Sequence, residues 1–350
     1  MDRARIRTDK ILRSIISDIG RIYANNPALF HITKKIDKYM ENVEKATESS
    51  YKAYVEESDI NVKEEKKKAY MSEIRALTLE STKYRALMNE FTDALAVTNQ
   101  EALTRVNASM AEVYFNNYNQ IAGECRRAGI TVKDKFDYLD LMGASRDEYV
   151  SFTLLDEHTV KRLMKDGKVD VPKKKVDIPK DEQWNMKTLG SKLLLGIQNG
   201  DSIPKIADSF QEVIGMNRAS AVRNARTMTT SAECHGRMDS YENLAKQGVI
   251  QKKHWIATGD NRTRDTHLAL DGQERDIDEA FSNGLMFPGD ANGEPSEIWN
   301  CRCSIASKIV GFRKADGSVT KVADVNEPES LHEKQIKEEK EKRKINGQNR

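Results

Sequence analysis

The chain lacks an excess of either charge: 57 Lys and Arg stand against 55 Asp and Glu, a formal net charge of +2. That balance excludes a protein that coats nucleic acid with its whole surface, so any such contact must come from a local patch. Cysteine is scarce, with 4 in 350 residues, too few for a disulfide framework in so long a chain. Cys125, Cys234, Cys301 and Cys303 are therefore expected as free thiols or metal ligands in a reducing compartment. No apolar run approaches the roughly 20 residues of a membrane helix, and mean hydropathy is −0.70. The opening MDRARIRTDK is charged but leads into no apolar segment, so no secretory signal is expected. Also missing are a GxxxxGKS/T phosphate loop, a GxGxxG turn, an HExxH helix and a GxSxG elbow, which removes the enzyme classes those local patterns announce.

What is present is mostly helical periodicity. Asp9–Tyr23 and Thr33–Tyr54 read as helices on either side of Asn25-Asn26-Pro27. From Met71 onward Ile74, Leu77, Tyr84, Met88, Phe91, Leu95, Val106, Met110, Val113 and Ile121 recur in helical steps. A run that long without a cap predicts one or two breaks, after a solvated approach at Lys63–Lys68 and before a stop at Gly129. Asp166-Gly167-Lys168 is a turn, and Val171–Lys180 is an exposed connector or ribbon edge, with a phosphate-binding arm as the rival. Trp184–Gln198 is amphipathic and stops at Asn199-Gly200. Asp201 or Ser202 caps a helix that ends at Gly215, and Asn217 caps a second from Arg218 to Lys246, closed by Gly248.

Strand patterns begin only at Ile250–Thr258, followed by Gln273–Ile277 after an Asp271-Gly272 turn, and by Cys303–Val310. The expected fold class is α+β: a mainly helical N-terminal region, then a small C-terminal α+β unit with a short antiparallel sheet. The expected division is a helical region over 1–165, a basic connector over 166–180, a folded module over 181–312 and a charged tail over 313–350, a frayed helix or disordered.

The densest cluster of chemically unusual residues runs from His254 to Cys303. In an extended Cys301-Arg302-Cys303 both thiols share a face, and thiolates with imidazole are good zinc ligands. His267, Cys301 and Cys303, with His254 or Asp260 as the fourth ligand, make a chemically sensible site. Zinc knuckles normally use CxxC, and the alternative is two buried reduced thiols beside a hydrogen-bonded histidine. Arg264 lies near Asp260, Asp265 and Asp276 and is read as a buried ion pair, the rival being an anion-binding or catalytic arginine. Trp255 and Trp299 are read as core. Arg218, Arg223, Arg226 and Arg237 line one helix with Thr227, Thr229, Thr230 and Ser231 between them, suited to phosphate or to nearby acids. Arg3, Arg5, Arg7 and Arg13 form a second, equally open basic patch, and His235 has no evident acid partner.

Taken in order, Ala225-Arg226-Thr227, His254-Trp255-Ile256-Ala257, Asp260, Arg262-Thr263-Arg264, His267, Asp271-Gly272 and Asn300-Cys301-Arg302-Cys303 resemble the phage Mu F-like minor head protein family of head morphogenesis proteins. In that comparison Arg226, Thr227, Trp255, Asp260, Arg264, Asp271, Gly272 and Asn300 fall on the family pattern as structural positions. Met228 departs from it, since an acidic residue commonly follows the Ala-Arg-Thr triplet. The resemblance implies a minor capsid component of a tailed double-stranded DNA phage, bound near the portal with other head proteins as partners. It further implies association with packaged double-stranded DNA, for which the helix residues Arg218, Arg223 and Arg226 are the candidate phosphate contacts, and location in the virion head after assembly in the host cytoplasm. It implies neither catalysis nor membrane association. Some relatives carry a toxin domain after the F-like region; the short charged stretch after Val310 argues against that version here. The competing readings are a metal-dependent nuclease or hydrolase using His254, Asp260, His267 and a cysteine-bound metal, and a non-specific DNA-binding module.

Overall fold

The computed structural model describes residues 3–127, 178–246, 248–313, 317–321 and 331–348. Helices α1 (Arg3–Asn25), α2 (Pro27–Val55), α3 (Ile60–Leu77) and α4 (Thr82–Arg127) precede α5 (Ile178–Asn199) and α6 (Ile203–Lys246). Then come β1 (Val249–Ile256), α7 (Asp265–Leu270), β2 (Glu274–Asp276), α8 (Pro295–Ile298), β3 (Ser304–Arg313), β4 (Val319–Lys321) and α9 (Leu331–Gln348). Long helices followed by a small antiparallel sheet give the α+β class that the periodicity predicts. No helix among the described residues is long and apolar enough to cross a membrane. Apart from residues 178–180, which open α5, the basic connector and its turn lie outside the described residues, as does Gly129.

Local chemistry sets the helix ends. Asn26 accepts from the Leu29 N–H at 3.1 Å with Pro27 in the first turn, and Asp59 accepts from the Asn61 and Val62 N–H groups. Side-chain oxygens at these positions satisfy donors that a helix start leaves open. The Lys63–Lys68 run therefore lies inside α3 rather than approaching it. The long apolar run breaks once, where Ser81 Oγ accepts from the Tyr84 N–H. At Gly215 no break occurs: α6 runs unbroken from Ile203 to Lys246. One helical glycine costs only about 1 kcal/mol relative to alanine, less than the roughly 1.5–3 kcal/mol gained by burying a side chain such as Phe210 or Val213. Asn217 caps nothing; its amide donates to the Val213 carbonyl and to Asn185 Oδ1.

Contacts divide the chain into two compact units, and the boundaries fall inside α1, α4 and α6. Each unit draws on residues both before 165 and after 181, so this division differs from the sequential one read from composition. One unit holds residues 16–105 and 178–222 and is entirely helical. α2 buries Leu29, Ile32, Ile36, Met40 and Val43 at helical spacing. Phe91 meets Phe210 edge-on at 5.4 Å, and Tyr51 and Tyr54 pack on Tyr70.

The other unit holds residues 3–15, 106–127 and the described residues from 223 onward. Its sheet has the order β2-β1-β3-β4, every pair antiparallel. β1 alternates: Val249, Gln251, Lys253 and Trp255 are buried, while Ile250, Lys252, His254 and Ile256 occupy the other face. Trp255 packs with Cys234, Met238, Tyr241, Leu268, Phe281 and Ile305. Lys253 is fully buried, donates to the Ile277 carbonyl at 2.9 Å, and burial brings its ammonium down to about 8. At Gly236 a side-chain carbon would lie 2.6 Å from the Tyr114 carbonyl oxygen, so α4 and α6 approach closely there. The charged tail contains a helix that packs on this unit. α9 buries Ile336 in this core, pairs His332 with Asp271 at 3.1 Å, and pairs Arg343 with Asp265.

Candidate metal centre

One face of α6 holds the segment that carries the thiols. Thr227 Oγ1 donates to the Arg223 carbonyl and accepts the Asn300 N–H at 2.8 Å. Thr230 Oγ1 donates to the Cys301 carbonyl at 2.7 Å, the Cys234 thiol faces the Cys303 carbonyl at 4.0 Å, and Arg237 donates to the Ile305 carbonyl at 3.3 Å. The steps of three, four and three residues are one helical face, and they meet successive backbone groups of residues 300–305. Asn300 stands at φ 58, a left-handed conformation that asparagine tolerates better than most residues. Beside this face, the buried Glu233 receives Ser304 Oγ at 2.8 Å and Arg5 at 2.9 Å, while Arg5 also donates to the Arg302 carbonyl.

So held, Cys301 and Cys303 converge on His267. Each sulfur lies 3.5 Å from His267 Nδ1, and the three side chains are 1 to 2% exposed. All three donor atoms lie within 4.8 Å of one another. The far nitrogen, Nε2, lies 3.0 Å from Glu297 Oε2, and Glu297 also accepts from Thr266 and Asn283. Trp255 closes one side, its ring edge-on to His267 at 5.1 Å. The hydrogen bond shared by the two thiols pushes Cys301 well above the usual thiol value and, helped by His267 and opposed by burial, draws Cys303 well below it.

The other expected ligands stand elsewhere. His254 faces the opposite side of β1 from Trp255, opposite Glu274 and Ala306 on the neighbouring strands, and burial lowers its imidazole. Strand alternation thus removes it from the thiols. Asp260 is gripped by both Arg302 terminal nitrogens at 2.5 and 2.8 Å, and that hydrogen-bonded pairing holds its carboxyl well below the usual range.

Arg264 does not take the acids expected for it: Asp260 goes to Arg302, Asp265 to Arg343, and Arg264 donates to the Trp299 carbonyl. Trp299 is 39% exposed rather than core. Asp271 accepts the Ala257 N–H at 2.7 Å, and Gly272, at φ 77, donates to the Trp255 carbonyl, so the turn closes on the end of β1. Arg218 and Arg223 are exposed, whereas Arg226 is half-buried beside Arg262 and Arg302. Burial first, then those two charges, lower its guanidinium. Arg237 and Arg5 are structural and pair with Glu233. His235 does have an acid, Asp239, at 3.5 Å one turn along the helix. Glu297 escaped sequence reasoning, because nothing local ties it to a histidine 30 residues earlier.

Residues 187–306 match the family model described as phage Mu protein F like protein. The chain is 34% identical over 122 residues to the NAD(+)--arginine ADP-ribosyltransferase EFV of Enterococcus faecalis, a match covering 34% of this chain and 25% of that protein. It is 32% identical over 133 residues to the minor head protein GP7 of Bacillus phage SPP1, covering 35% of this chain and 43% of that protein. The matches thus span less than half the length of either relative. No solved structure matches the chain.

Proposed function

We propose that the chain, whose residues 187–306 match the phage Mu protein F-like family, is a structural component of a phage head, acting in head morphogenesis. The observation that carries this reading is where the matched segment falls. It contains the α6 face, β1, the Asp271-Gly272 turn, the His267 cluster and the Asn300–Cys303 segment that α6 holds. What matches the family model is therefore a hydrogen-bonded scaffold. Arg5, Arg237 and Glu233 are committed to supporting that scaffold.

In the finer reading the protein binds at the portal of a tailed double-stranded DNA phage, among other head proteins, and resides in the virion after assembly in the host cytoplasm. The helical region over 1–165 supplies protein–protein surface, and 181–312 is the head morphogenesis module. DNA contact, where it occurs, runs through the exposed Arg218 and Arg223, with Arg226 behind them on the same helix. Such contact is non-specific and falls steeply with salt. The chain is not an enzyme in this reading.

The test is co-purification of the full chain with a candidate portal protein, in a salt series, together with mass spectrometry of purified virions. Salt-resistant portal binding and recovery of the chain from heads are expected. Absence from virions would overturn the head role, and absence of portal binding the finer one. One relative carries an ADP-ribosyltransferase name, so the same preparation is incubated with labelled NAD+ and an arginine acceptor. Label transfer to the acceptor would overturn the non-enzyme reading.

A further inference from the structure

We propose that His267, Cys301 and Cys303 bind a single zinc ion, with Glu297 orienting the histidine, and that this ion ties α7 to the segment entering β3. The inference stands on geometry and does not depend on the head role. A carboxylate only accepts hydrogen bonds, so the 3.0 Å contact to Glu297 puts the imidazole hydrogen on Nε2 and leaves Nδ1 with its lone pair. That single lone pair faces two sulfurs at the same 3.5 Å. An ion between the three atoms would be met by that lone pair and by both sulfurs at once.

The spacing agrees. A tetrahedral zinc with Zn–S about 2.3 Å and Zn–N about 2.0–2.1 Å sets nitrogen and sulfur about 3.5–3.6 Å apart. Carboxylate–histidine–metal relays of this kind fix the tautomer and orientation of a ligating ring.

Two sulfurs and an imidazole, with no oxygen donor in the set, favour zinc over magnesium or calcium. Three protein donors leave the fourth position of zinc to a water. Because the Cys301 and Cys303 backbones are already held by α6, the ion closes a link from α6 through residues 301–303 to α7. It would thereby couple metal binding to folding of this unit.

The experiment uses the full chain purified under reducing conditions without chelator. Elemental analysis is expected to give one zinc per chain. After removal of the metal, Co2+ titration is expected to give thiolate-to-cobalt absorption and visible bands of tetrahedral cobalt that saturate at one equivalent. Cys303→Ser and His267→Ala should lose these signals. Cys234→Ser should keep them, since that buried thiol stands outside the three-atom cluster. Glu297→Ala should retain the site with about 10–100-fold weaker affinity. Wild-type protein that is folded by circular dichroism yet holds no zinc and shows no cobalt–thiolate absorption would overturn the proposal, independently of whether any variant folds. Unchanged affinity in Glu297→Ala would overturn the role given to Glu297.

Discussion

Replacing Gly236 by alanine should destabilise the protein, although alanine is the better helix former. In an exposed helix the exchange gains about 0.8–1.0 kcal/mol. At position 236 the added carbon would lie 2.6 Å from the Tyr114 carbonyl oxygen and 3.3 Å from two further backbone atoms of Tyr114. These are atoms of a packed helix and cannot rotate away, so α4 and α6 must separate until that contact reaches at least the 3.4 Å of ordinary packing. Forcing an extra carbon into a close-packed contact costs typically 1–3 kcal/mol, and a backbone neighbour puts this case in the upper half of that range. The net expectation is a loss of about 1–2 kcal/mol. Gly215→Ala on the same helix is the control, because nothing lies within 4 Å of a carbon added there. It should stabilise by about 0.5–1 kcal/mol. Both are read by equilibrium urea unfolding, followed by far-UV circular dichroism and tryptophan fluorescence. Midpoints that move the same way by similar amounts would refute the close-approach argument.

Thr230→Val removes the donor to the buried Cys301 carbonyl and should cost about 1–3 kcal/mol in the same assay, since the orphaned acceptor loses its partner; no change would mean that the contact contributes nothing. Asp260 has a folded pKa below its unfolded value, chiefly through the Arg302 hydrogen bonds, so its contribution is present above about pH 4 and is lost as the pH falls through the lower folded value. The stability gap between wild type and Asp260→Asn should therefore shrink in acid, and a gap that widens would contradict the pairing. His332 runs the other way: Asp271 first of all raises its imidazole, so the contribution is complete below about pH 6.5 and is lost as the pH rises through the folded value. The protection factors of α9 amides, with the base-catalysed intrinsic rate divided out, should fall on alkalinisation in the wild type and not in His332→Ala. Ile336→Ala should cost about 2–5 kcal/mol as a core truncation and expose α9 to proteolysis, while unchanged protection would show that the helix is held by its ion pairs alone.

Features written in neighbouring residues were legible from sequence. Gly200 after Asn199 and the Asp271-Gly272 turn each satisfy a local backbone need and stand where expected, and Asn25-Asn26-Pro27 does separate two helices, although α2 begins at Pro27 rather than Thr33. Gly215 misled because a local penalty was weighed without the burial of Phe210 and Val213 that opposes it. The thiols and His267 were legible as a set because their chemistry is rare in this chain. His254 was not separable from them until strand alternation placed it on the other face. Asp260 shows the limit of proximity in sequence: Arg264 is four residues away, yet Arg302, 42 residues away, supplies both hydrogen bonds. The α6 face reads from sequence as polar positions at helical spacing. Its partner, a stretch of backbone some 70 residues on, has no side-chain signature to find.

Arg5 gives the protein an order of events during synthesis. Its hydrogen-bond acceptor at Arg302 leaves the ribosome 297 residues later, and Glu233 comes 228 residues later. Translation makes the first strip of this unit, then the whole of residues 16–105, and only much later the residues that complete it. A nascent chain must hold Arg5 in water, without these two partners, until residues 233 and 302 are made, while the intervening helices are free to pack among themselves. Contacts of such long range are closed slowly. A fragment cut to begin at residue 187 would be deprived of the guanidinium that anchors its own Arg302 backbone, and so would mature differently from the intact chain.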